Sequence, residues 1–149
     1  MNQLTAETIA IVKATAPALR SHGVEITTAM YARLFQDPSI KDMFDQAAQQ
    51  SGEQPRRLAA AILGYAENIE KLQALDGAVA RMVQRHVETG VKAEHYPKVA
   101  AALLPAIRDV LGADVATDAV LEAWGEAYWF LAEILIGKEA LAYAEAEAA

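Results

Sequence analysis

The chain has 149 residues and a mass of 16.0 kDa, the size of one domain with a single core, and 54% of its residues are hydrophobic, which excludes extended disorder. A formal charge of −7 and a pI near 4.9 leave no basic stripe to displace counterions from a phosphate backbone, so nucleic acid is not an expected partner. With no cysteine there is no disulfide, thiolate nucleophile, iron–sulfur cluster, Cys-based zinc site or C-x-x-C-H motif for covalent attachment of a prosthetic group.

The elements expected along the chain are all helices, with short joints and no alternating run long enough for a strand. The first helix is expected from about Thr5 to Arg20 and the second from about Gly23 to Phe35, where Asp37-Pro38 breaks it. A short helical turn then leads to Met43-Phe44, and Asp45 to Gly52 reads as a polar, mobile connection. Ser51-Gly52-Glu53-Gln54 has the form of a capping box, with Pro55 tolerated in the first turn of a helix whose apolar face is Leu58, Ala61, Ile62, Tyr65 and Ile69.

Asp76 is placed to cap the next helix, whose stripe is Val79, Met82, Val83 and His86, and Gly90 is placed to stop it. A further helix from about His95 to Leu111 presents Tyr96, Val99, Leu103, Ile107 and Val110, although Pro105 falls inside it, where a kink is expected. The last helix, from about Thr117 to Tyr143, carries Val120, Trp124, Tyr128, Leu131 and Leu135, and then Glu139 on the same stripe. A carboxylate on an apolar stripe requires a partner. Glu126 and Glu133 keep this region short of the roughly 18 uninterrupted apolar residues of a membrane span. The N-terminus, with Glu7 and Lys13 in a spaced apolar pattern, does not read as a signal peptide, so a cytoplasmic location is expected.

Of the three histidines, His22 and His95 fall at the starts of expected helices, and His86 alone stands on a core stripe. Such a residue is either a satisfied core histidine or a metal ligand. A liganding imidazole must donate its other N–H to an acceptor; the Met82 carbonyl one turn earlier is one candidate, and Tyr96 with Glu139 could form a second chain. Taken singly, Tyr96 reads equally as a core aromatic and Glu139 as a solvated acid. Tyr31 shares a face with Val24, Thr27, Leu34 and Phe35, and Gln54 lies one turn before Leu58; a phenol and an amide would stabilise a ligand that gains negative charge. They read as well as plain core and plain cap. No Glu-x-x-His, H-E-x-x-H, P-loop or G-x-S-x-G pattern competes, and haem is the cofactor that needs one histidine and a helical pocket.

In order, Met30-Tyr31-Ala32-Arg33-Leu34-Phe35, Met43-Phe44-Asp45, Glu53-Gln54-Pro55, Arg85-His86, Gly90-Val91, His95-Tyr96-Pro97, Val110-Leu111-Gly112 and Ala123-Trp124-Gly125-Glu126-Ala127-Tyr128 resemble the globin family from end to end. More narrowly, they resemble bacterial single-domain haemoglobins and the globin domain of flavohaemoglobins. The resemblance implies an all-α globin fold, a three-on-three helical sandwich around a haem pocket, with residues 1–149 forming one domain. It implies one non-covalent haem b with His86 as the proximal iron ligand and Tyr96 and Glu139 supporting it. Phe44 would pack on the haem face, with Val99 and Tyr128 also lining it. Tyr31, Gln54 and Leu58 would form the distal oxygen pocket, and Arg57 and Arg85 could meet propionates, where an exposed ion pair adds about 0 to 1 kcal/mol. Implied ligands are O2, NO and CO.

The chain has no room for FAD and NAD(P)H domains, so a separate electron-donating reductase is expected. Two functions use this same pocket: conversion of NO and O2 to nitrate with that reductase, and reversible oxygen carriage or storage without turnover. A haem-free helical interaction module is the alternative from another class. A homodimer through the Ala-rich faces at Ala78 to Met82 or Ala140 to Ala144 is left open.

Overall fold

The computed structural model describes residues 4–43 and 52–148, and these are helical apart from short joints. Helix α1 spans Ala6–Leu34, α2 Pro38–Lys41, α3 Glu53–Glu67, α4 Asp76–Thr89, α5 Tyr96–Leu111 and α6 Asp118–Ala148, with 3-10 turns at Leu72–Leu75 and Ala93–His95. The all-α expectation holds.

The two helices expected before residue 36 are one. Thr5 caps α1 by accepting the Thr8 N–H at 3.1 Å, and nothing between Arg20 and Gly23 stops the helix. Gly23 is a packing residue rather than a start: a Cβ there would lie 3.2 Å from the Ala59 Cβ, so its missing side chain lets α1 and α3 approach. Pro17 and Pro105 both sit inside continuous helices. Each frees a carbonyl one turn back, on Lys13 and Ala101, and both of those residues are exposed, so solvent can satisfy the oxygen.

Caps differ from expectation more than elements do. Helix α3 begins after Gly52, which has φ 79° and makes no side-chain cap, and Ser51 of the expected capping box lies outside the described residues, as does Asp45 to Ser51 generally. Asp76 is not a cap but the first-turn acid of α4, because the 3-10 turn runs straight into that helix through Leu75; there it still complements the positive end of the helix dipole. Asp37 caps α2, accepting the Ser39 N–H at 3.0 Å. Thr117 accepts the Val120 N–H at 3.2 Å, and α6 then runs past the expected Tyr143 to Ala148. Val24, placed by periodicity on the Tyr31 face, is 45% exposed.

The main core joins α1 (Val12, Leu19, Ile26, Met30), α3 (Tyr65, Ala66), α5 (Leu103, Ile107) and α6 (Trp124, Ala127). The spacing Val12, Leu19, Ile26 returns nearly to one face every seven residues, which is why α1 can feed one core over its length. A second cluster, Val79, Tyr96, Ala132 and Leu135 with Met82 and Val83, fastens α4 to α6. Thus α3 packs on α1 while α4 packs on α6, and the consecutive helices α3 and α4 hardly touch.

Candidate functional site

His86 lies in the last turn of α4, one turn beyond Met82 and Val83, which pack toward α6. Its Nδ1 is 2.7 Å from Glu139 Oε2 and 3.1 Å from the Tyr96 hydroxyl. Tyr96 in turn donates to Glu139, with its hydroxyl 2.7 Å from Oε1 and 2.9 Å from Oε2. Glu139 is 3% exposed, and a carboxylate so buried is tolerable only with donors of this kind around it. Of the two acceptors expected from the sequence, Nδ1 meets the Tyr96 and Glu139 chain and not the Met82 carbonyl. A mid-helix carbonyl is directed along its own helix axis toward the N–H one turn on, whereas Glu139 approaches from across the interface.

The supporting phenols stay protonated. Desolvation, then the hydrogen bond to Glu139, pushes the Tyr96 pKa far above the ordinary tyrosine value, and burial alone does the same for Tyr128. Tyr128 donates to the Tyr96 carbonyl at 2.7 Å, fixing the helix start that carries Tyr96. Since a carboxylate only accepts, Nδ1 carries the proton, and in the neutral ring Nε2 keeps its lone pair. The His86 side chain is 31% exposed, and no protein partner for Nε2 is found among the described residues. This is the state of an imidazole ready to ligate a metal.

Tyr31, 5% exposed on α1, forms the other group with Gln54 of α3. Gln54 Nε2 lies 3.4 Å from the Tyr31 hydroxyl, a long hydrogen bond. Thr27 donates to the Pro55 carbonyl at 2.8 Å, so the first turn of α3 is pinned to α1 beside them. Tyr31 also stacks on Phe35, with ring centroids 5.3 Å apart. Leu58 and Val99 are half-buried against the main core, and Tyr128 bridges both clusters. Arg57 is exposed and ion-paired with Glu53, one turn away, and Arg85 is exposed. Phe44 lies outside the described residues.

A flat apolar cofactor fits these residues. The helix bearing Gln54 and Leu58 and the helix bearing His86 are held by different partners and hardly meet, while Leu58, Ile62, Met82 and Val83 are left only partly buried. The globin family profile matches residues 14–135. The chain belongs to the globin family.

This globin is 53% identical over 147 residues to a flavohemoprotein of Burkholderia sp. (strain TH2), covering 98% of this chain and 37% of that relative. The chain therefore spans little more than a third of that relative's length. Among solved structures it is similar to an engineered carbene transferase made from a Rhodothermus marinus protein assigned as a nitric oxide dioxygenase, with 42% identity, TM-score 0.90 and coverage of 97% of this chain and 99% of that one. It is also similar to a bacterial globin from Campylobacter jejuni, with 43% identity, TM-score 0.86 and coverage of 93% and 99%. The fold is thus the all-α globin fold that the resemblance implied, and membership of the family implies haem binding.

Sequence reasoning missed two polar contacts beside the His86 cluster of this globin. One is the Tyr128 bond to the Tyr96 backbone. The other is Tyr143, whose hydroxyl donates to the Val91 carbonyl at 2.7 Å; its only signal was a position one turn beyond Glu139 on the same helix face.

Proposed function

We propose that this globin holds one haem b without covalent attachment, with His86 Nε2 as the iron ligand and the opposite face open to O2, NO and CO. We further propose that, with electrons from a separate reductase, it converts NO and O2 to nitrate. The observation that carries the reading is the His86, Tyr96 and Glu139 cluster: an imidazole bonded through Nδ1 to a buried carboxylate, whereas His22 meets only the exposed Glu25. The lack of any cysteine supports non-covalent attachment.

When bound, haem supplies an iron centre that takes diatomic ligands and passes single electrons. The reaction NO + O2 + e⁻ gives nitrate, balanced with one electron per turnover. Glu139 pulls on the Nδ1 proton and makes Nε2 a stronger donor, the character suited to breaking an O–O bond rather than to holding O2 unchanged. Tyr96 keeps Glu139 in place by donating to both of its oxygens. Tyr31 and Gln54 are the donors assigned to a ligand that gains negative charge, and Leu58 with Val99 keeps their surroundings apolar. Phe44 and Tyr128 are assigned to the haem faces, and Arg57 and Arg85 to the propionate edge.

The test is the visible spectrum of the purified protein, ferric, dithionite-reduced and CO-bound, beside His86→Ala. A Soret band that responds to reduction and CO, and is altered or lost in the variant, is expected; a protein that stays colourless after haem is added would overturn the reading. Nitrate yield per haem with an added flavin reductase then separates the functions. Turnover above the uncatalysed rate is expected, and its absence would leave a reversible oxygen carrier.

A further inference from the structure

Helix α6 meets the His86 segment at two points, and only the first, Glu139, holds the imidazole. The second is Tyr143. His86 stands in the last turn of α4, so its carbonyl is one of the four that a helix leaves without an intrahelical partner. Here the Gly90 and Val91 N–H groups turn back to that carbonyl, Val91 at 2.8 Å, and the Thr89 hydroxyl lies 3.3 Å from it, a reversal permitted by Gly90 at φ 84°. All of these bonds come from the end of α4 and the residues just after it, so fraying there would carry His86 with it unless another element holds that end.

The Tyr143 hydroxyl donates to the Val91 carbonyl at 2.7 Å and lies 3.4 Å from the His86 carbonyl itself. Its ring is held in turn by Lys92, whose Nζ stands 3.7 Å from the ring centroid. We propose that Tyr143, clamped by Lys92, is a positioning residue for His86: it fixes the backbone end of α4 while Glu139 fixes the ring, so that α6 sets both the height and the rotation of the imidazole. The bond at Nδ1 orients the ring, and tying the backbone behind it to the same helix fixes the point from which the ring projects.

The inference rests on His86 being the iron ligand, and the experiment separates the two. Tyr143→Phe keeps the ring and its Lys92 contact and removes only the hydroxyl. Two quantities are read on haem-loaded protein: the iron–histidine stretching band of the ferrous form by resonance Raman, and hydrogen exchange of the Val91 amide. Loss of one hydrogen bond predicts exchange about tenfold faster, together with a broadened band shifted to lower frequency. Lys92→Gln, which weakens the same clamp and leaves the hydroxyl, should shift the band in the same direction by less, and it serves if Tyr143→Phe does not fold. Faster exchange with an unmoved band in the variants would make the clamp merely structural and overturn the inference, while the parent spectrum stood. A parent without haem, or with haem but no iron–histidine band, would overturn the proposed ligand and this inference with it.

Discussion

Glu139 combines two features that ordinarily exclude each other, a carboxylate and almost complete burial, and the three donor contacts from Tyr96 and His86 reconcile them. Its need for a partner was legible in the sequence, because it continues the stripe of Val120, Trp124, Tyr128, Leu131 and Leu135. Glu139→Gln keeps the shape and removes the charge, and its amide can satisfy only part of the cluster. Losing such a support to a metal-binding histidine typically costs 10- to 100-fold, so nitrate formation with an added reductase should fall by roughly that factor. Oxygen affinity, assigned in the proposed function to Tyr31 and Gln54, should change less. Equal loss of turnover and affinity in paired nitrate and oxygen-equilibrium measurements would count against Glu139 tuning the imidazole.

At the scale of elements, the unbroken α1 matters most, because it gives α3 a rigid surface on which Gln54 is held near Tyr31. Gly23 and the Thr27 bond to Pro55 set that contact. Gly23→Val places branched carbon where even one Cβ meets Ala59 at 3.2 Å. Overpacking of this kind costs about 1–3 kcal/mol, to be read as a lower urea midpoint with an unchanged slope. A variant as stable as the parent would show that α1 and α3 can separate freely at this point. The glycine's helix-joining role could not be read locally: a glycine inside an apolar period looks like a stop until the helix packed against it is known.

For the molecule as a whole, three phenols, Tyr65, Tyr96 and Tyr128, are built into the interhelical packing, and burial pushes the pKa of each well above the ordinary value. Tyr65 donates to the Ala127 carbonyl at 2.8 Å, tying α3 to α6 as Tyr128 ties α6 to α5. The folded state holds these groups neutral, whereas the unfolded chain releases their protons near about pH 10. Their contribution is therefore fully present below that value and is lost as pH rises above it. Denaturant midpoints should fall between about pH 9 and about pH 11, with the buried tyrosinates appearing in the ultraviolet spectrum only as the protein unfolds. Full ionisation with the fold intact would contradict this account.

The sequence by itself determined the helical class, the lone histidine on a core stripe and the carboxylate that had to be paired, because helical periodicity and the cost of burying charge are local properties of composition and spacing. Only the tertiary structure decided which acceptor takes the Nδ1 proton, that α1 is one helix, and that Tyr143 closes the end of α4. These depend on residues as far apart as His86 and Glu139, which are 53 positions apart, brought together by the packing of α4 on α6.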